Sequence, residues 1–234
     1  LAVTIADLDD MRLLGSEIVS MLLTDVISEV LTVADDAYVD GDNTKALLAS
    51  ELERFVAMLM ILTGDDDTVD LSTLDFANLS VTAGMVDDLA NLNSVIVRDI
   101  LSDVVTSALT APAVSFDSPS TTRLLSTEIQ AFADMILVLV NDVRTTDIAT
   151  LDFANLTITT TQLTSLNAIN SPLVDGIVSE AIVDALEIPT GAFINGSTTL
   201  VQKTEITSLI SVLELLGIND LSQAGTLDAS TISP

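Results

Sequence analysis

Apolar residues along this chain fall into two patterns. Sets such as Ile96, Ile100, Val104 and Ala108, or Phe55, Met58, Leu59 and Leu62, step by three and four residues, the spacing that lines up side chains on one stripe of an α-helix. Shorter pieces at 79–82 and 156–159 alternate apolar with polar residues, as a half-buried strand does. Between these pieces lie clusters rich in Ser, Thr, Asn and Asp, the composition of turns.

The patterns predict a fixed order of elements. A short strand-like piece leads into a short helix carrying Met85, Leu89 and Leu92. A longer helix then opens at Ser16, Ser94 or Ser171, each a good N-cap, and Pro172 follows the last of these at the position where a missing N–H does no harm. It runs to about Leu109, before Pro112. An extended stretch at 113–116 or 191–194 and a Ser/Thr turn lead to a third helix, for which Ser50, Thr127 and Thr204 are the expected caps. Ser50 with Glu53, and Thr127 with Gln130, have the spacing of capping boxes.

The order occurs three times. The seven residues from Thr73 to Leu79 recur without change from Thr150 to Leu156. The same offset relates Pro112 to Pro189 and Phe116 to Phe193, and it places Glu51, Glu128 and Glu205 in one series. In the first copy the front half is offset by one more residue, so that Ser16 matches Ser94 and Asp25 matches Asp103. The reading is an α+β, helix-rich chain: a tandem repeat of three modules at 1–78, 79–155 and 156–234. Each module has about three helices with short β segments that pair with their equivalents in neighbouring copies. The whole stacks as a linear or solenoid-like array.

Composition then narrows the chemistry. The chain is 49% hydrophobic but has no Trp and a single Tyr, so the core is aliphatic. Acids outnumber bases 35 to 7, and the net charge of −28 repels phosphate backbones, which argues against nucleic-acid binding. Asp outnumbers Glu by 26 to 9, as suits a turn-rich chain in a saline or divalent-rich medium. Without Cys or His, the chain has no disulfide, no thiolate or imidazole ligand and lacks the commonest general base. Neither Lys45 nor Lys203, the two lysines, lies in a recognised catalytic motif. No apolar run is long enough to predict a membrane span. The chain opens on Leu1 with no visible signal peptide, which reads as a processed form or a piece of a longer polypeptide.

The candidate sites are few. Asp65, Asp67 and Asp70 follow the third helix of the first copy, Asp142 and Asp147 stand at the matching places of the second, and Asn219 and Ala224 at those of the third. Clustered carboxylates in a loop are hard ligands suited to Ca²⁺. Asp40, Asp42, Thr44 and Glu51 have EF-hand spacing, but Lys45 stands where that loop needs Gly, and Glu51 reads more simply as a first-turn acid favoured by its helix dipole. Asn78, Asn155 and Asn195 each begin an Asn-x-Ser/Thr glycosylation sequon. The helix stripes form the core, with an apolar ligand cavity as the other reading.

The functional expectation is a non-enzymatic, extracellular or cell-surface repeat protein: a filament, stalk or surface-layer component. Its partner is itself, as a homopolymer or longer array, with divalent cations as possible ligands. The alternative is an adhesin-type module binding a protein or glycan, with or without Ca²⁺.

Overall fold

The computed structural model of this chain describes residues 3–74, 80–118, 122–194 and 199–224. Among these are ten α-helices: α1 (Ile5–Leu13), α2 (Glu17–Val30), α3 (Ala49–Thr63), α4 (Ala83–Ala90), α5 (Val95–Ala108), α6 (Ser126–Leu139), α7 (Thr160–Ala168), α8 (Pro172–Ala185), α9 (Lys203–Leu216) and α10 (Leu221–Ala224). Short 3-10 turns join several of them.

The expected α+β class is corrected. No sheet occurs among the described residues; residues in extended conformation meet only in single antiparallel bridges. Thr4 pairs with Asp70, Thr82 with Asp147 and Thr159 with Asp220; Tyr38 pairs with Leu47, Phe116 with Leu124 and Phe193 with Val201. Every bridge therefore lies inside one expected module rather than between neighbouring copies. What is established is a helical chain, not a strand-linked stack of repeats. The ladder stops for a local reason. The carboxylates of Asp70 and Asp147 accept the backbone N–H two residues on and turn the chain into a 3-10 coil, while Thr4, Thr82 and Thr159 are already the N-caps of the next helices.

Helices pack by proximity along the chain. The short α1 lies on α3, α4 on α6 and α7 on α9. Each group then leans on the next, since α3 meets α4 and α5, and α6 meets α7 and α8. The core between them is aliphatic, with Leu59, Leu124, Met135, Ile136, Leu163 and Leu166 buried. Hydroxyls hold the long helices to the bridged segments. Thr24, Ser102 and Ser179 are buried, and their side-chain oxygens accept the N–H groups of Leu47, Leu124 and Val201 at 2.8, 2.9 and 3.0 Å.

Several helix ends differ from the sequence expectation. The third helix of each group begins two residues earlier than predicted: Leu48, Leu125 and Gln202 are the N-caps, with no side-chain cap, and Ser50, Thr127 and Thr204 lie inside the first turn. The capping boxes at Ser50 and Thr127 are therefore not formed, and boxes occur instead at Thr4 with Asp7 and at Thr159 with Gln162. The stretches expected to be extended at 113–116 and 191–194 contain 3-10 turns, Ala113–Ser115 and Thr190–Ala192. At the other end, α3 closes on left-handed Gly64 and α9 on Gly217. Gly84 is needed for a different reason, because a Cβ there would stand 3.0 Å from the Arg144 carbonyl oxygen that accepts its N–H.

Leu59→Ala is expected to cost about 2–5 kcal/mol, as core truncations do. Leu215→Ala, at an exposed position, is expected to change stability by no more than about 0.5 kcal/mol. Urea denaturation followed by circular dichroism checks both, and equal costs would contradict the burial pattern.

Candidate functional site

The most organised polar feature is a carboxylate buried at the start of the next long helix. Glu51, on the first turn of α3, is 2% exposed, and Glu128, on the first turn of α6, is 3% exposed. The Oε2 of Glu51 accepts the Ser94 hydroxyl at 2.7 Å and the N–H groups of Val95 at 2.9 Å and Ile96 at 3.3 Å. These groups are the N-terminus of α5, where free N–H donors and the positive end of the helix dipole favour an anion. Arg54 donates to the other oxygen of Glu51 at 3.0 Å.

Glu128 repeats the arrangement on α8. Its Oε2 accepts the Ser171 hydroxyl at 2.8 Å and the Leu173 N–H at 3.0 Å. Pro172 removes the N–H that Val95 supplies in the other case, and the Ser115 hydroxyl donates at 3.2 Å instead. In both places the serine is 43 residues beyond the glutamate. Serine suits the position because its hydroxyl does two things. It accepts an N–H as the N-cap of its own helix, from Val97 or Val174 at 3.2 Å, and it donates its proton to the glutamate. An Asp cap could not donate.

The third glutamate and the first serine lack these partners. Glu205, on the first turn of α9, is exposed. Ser16 is the N-cap residue of α2 but accepts no capping hydrogen bond. The apolar surroundings follow the same division. Ile18 on α2 is 75% exposed, whereas Ile96 and Leu173 at the matching places on α5 and α8 are each 1% exposed. Val212 on α9 is 47% exposed, whereas Met58 on α3 and Met135 on α6 are 2% and 0% exposed. Leu14 and Leu22 beside Ile18, and Leu216 beside Val212, are exposed too.

Ion pairs add to the first of the two internal contacts. Arg123 reaches Asp99 on α5 and Asp36 in the 3-10 turn Asp35–Ala37, both at 2.6 Å. Arg123 holds the Asp36 carboxyl below the usual range, while burial lifts Asp99 above it despite the same partner. Asp175 on α8 is likewise lifted by burial, against the pull of Lys203 at 3.2 Å. The other lysine, Lys45, pairs with Asp40 at 2.9 Å.

The predicted metal residues have local structural roles. Asp65 and Asp142 occupy the left-handed backbone region just past α3 and α6, and their N–H groups return to Met60 and Leu137 at 2.8 Å. Asp tolerates that conformation better than most residues. The Asp67 carbonyl accepts the N–H of Ala6 at 3.0 Å. Asp70 accepts from the N–H and hydroxyl of Ser72, and Asp147 from the Ala149 N–H and the Ser80 hydroxyl. The third turn is shorter than the sequence alignment implied: Asp220, not Ala224, bridges to Thr159 as Asp147 does to Thr82. No group of three acids converges on a metal position among the described residues. In the EF-hand-like segment, Asp42 caps Thr44 while Glu51 faces α5, so the loop and its would-be bidentate acid point to different tasks.

Of the sequons, Asn78 and Asn195 lie outside the described residues. Asn155 is exposed and donates to Asp152 at 2.9 Å. An apolar hollow of about 180 Å³ lies among α3, α5 and α6, lined by Met58, Leu89, Val97 and Phe132 with no polar side chain to orient a ligand. No described helix is long and apolar enough to cross a membrane.

Sequence reasoning missed the role of the glutamates. The signal was the Glu51, Glu128 and Glu205 series itself, an acid kept at one interval within an apolar helix. No family model, curated protein or solved structure matches this chain.

Two predictions follow from this geometry. Glu128→Ala leaves buried donors unmet and is expected to cost about 1–3 kcal/mol, whereas Glu205→Ala in the unassembled chain is expected to stay within about 0.5 kcal/mol of wild type; chemical denaturation compares them. The second concerns pH. The Asp147 carboxyl is held below its usual range by the Ala149 N–H and then the Ser80 hydroxyl. Its contribution is therefore full above the unfolded Asp value of about 3.9 and is lost as pH falls through the lower folded value. The stability gap between wild type and Asp147→Ala should be widest near neutrality and shrink below about pH 4, and a gap that grows on acidification would contradict the capping role.

Proposed function

We propose that this chain is a non-enzymatic structural protein that extends by end-to-end contact, as a filament, stalk or surface-layer component outside the cell or on its surface. The observation that carries the reading is the division between buried and exposed copies of one contact. Where one helix group meets the next, a glutamate, a serine and the apolar residues around them are covered. At the matching places on α2 and α9, Glu205, Ile18, Leu22 and Val212 are exposed and Ser16 is half-exposed among the described residues. Aliphatic side chains as large as Ile18 and Leu22, exposed side by side, mark a surface that is stabilised by contact.

The composition supports the same reading. A chain without Cys or His has no thiol or disulfide chemistry and few groups that titrate near neutrality. Its acidic surface suits a saline exterior, where counterions shorten the range of self-repulsion.

The test is association of the purified chain, followed by sedimentation velocity and electron microscopy at increasing protein and NaCl concentration. Regular elongated species that lengthen with both variables are expected. Ca²⁺ at matched ionic strength, with and without a chelator, separates screening from a specific metal requirement. Discrete monomers under every condition would contradict the proposal.

A further inference from the structure

Resting on the structural reading above, we infer that the partner of each exposed end is the opposite end of a second copy of this chain, in the register set by its own internal contacts. In that register Glu205 of one copy accepts the Ser16 hydroxyl and the first N–H groups of α2 in the next, as Glu51 does for α5 and Glu128 for α8. Val212 of the first copy then packs on α2 of the second, as Met58 on α3 lines one apolar hollow with Val97 and Leu101 of α5.

The argument is continuity with an interface already present twice. Both internal contacts are heterologous: the surface offered by α3 or α6 differs from the surface offered by α5 or α8. Among the described residues, one copy of each surface has no counterpart packed on it, that of α9 and that of α2. Neither is complementary to itself. Two α9 ends would oppose their Glu205 carboxylates, and two α2 ends, each with Glu17 on its first turn, would oppose helix N-termini that lack an acceptor, so neither like pair supplies the missing partner whereas the unlike pair does. A second copy presents the chemistry that each end lacks: a carboxylate on the first turn of a helix for one, a serine-capped helix start for the other. Such a contact has no reason to close on a dimer and generates a directional chain of copies.

The decisive experiment uses variants that block one end each. Ile18→Glu buries a carboxylate at the α2 end and Val212→Glu does so at the α9 end; both positions are exposed in the single chain, so circular dichroism should be unchanged. Each variant alone is expected to be monomeric by sedimentation. An equimolar mixture is expected to give a dimer and nothing larger, because only one free α9 end and one free α2 end remain. Within that dimer, Glu205→Ala on the Ile18→Glu chain and Ser16→Ala on the Val212→Glu chain should each weaken association, Glu205→Ala by about tenfold or more. Combined, they should weaken it by less than the product of the two. Wild-type assembly that survives in either blocked variant would overturn this register while leaving the structural reading in place. Multiplicative effects of Glu205→Ala and Ser16→Ala would overturn the cap itself. A wild-type chain that never associates would overturn both, and would leave flanking polypeptide as the occupant of the two faces.

Discussion

A buried carboxylate at a helix N-terminus is the interaction on which the rest of this structure depends. Taking a glutamate out of water is expensive unless its charge is met by donors. Glu51 and Glu128 meet that requirement with the first donors of α5 and α8, which need an acceptor for their own reasons. The two deficits cancel, and the geometry that cancels them fixes where one helix group stands against the next. Apolar packing alone would tolerate some sliding between groups. Hydrogen bonds of 2.7 to 3.3 Å from a serine hydroxyl and adjacent backbone amides to one carboxylate oxygen do not.

Much of the helical content was legible in the sequence, and the reason is periodicity. Helix α5 is capped by Ser94 and Pro172 opens α8 as expected, although the face that α5 buries is Ile96, Val97, Leu101 and Val105 rather than the stripe of Ile96, Ile100 and Val104, since Val104 is exposed. The strands failed because alternation at 79–82 and 156–159 describes a backbone ready to pair, whereas pairing also needs a partner that stays extended. Asp70 and Asp147 take the next N–H for themselves and end each ladder after one pair. The capping boxes at Ser50 and Thr127 failed for a related reason. The spacing was right, but Leu48 and Leu125 already supply the first helical carbonyls, so Ser50 and Thr127 arrive two residues late.

The long-range contacts were the least legible. Nothing in local pattern tells that Glu51 faces a serine 43 residues away, or that Ser102 accepts the Leu124 N–H. Recurrence was the available clue, since an acid kept at positions 51, 128 and 205 within an apolar helix needs a cause beyond solubility. The Asp-rich turns carry local roles that composition alone does not show. Their acids look like a ligand set when read as composition, yet Asp65 and Asp142 hold left-handed backbone, and Asp70 and Asp147 cap turns. Where a chain uses Asp for caps this often, the informative position is the one that uses serine instead.

The charge of −28 bears on whether such a chain could meet a copy of itself. The acids are spread over turns and exposed helix faces, and their mutual repulsion acts over distance. At physiological salt it fades beyond about 8 Å. A carboxylate seated on a helix N-terminus acts within about 3 Å, inside a contact from which water is excluded, and is screened far less. Added salt therefore weakens the term that keeps copies apart more than the term that would hold them together, while apolar burial is indifferent to screening. An acidic surface and an end-to-end contact are then compatible. Surface charge opposes sideways contact along the exposed faces, and the proposed contact would bring together the aliphatic side chains around Ile18 and Val212, where salt must screen the neighbouring Glu17 and Glu214.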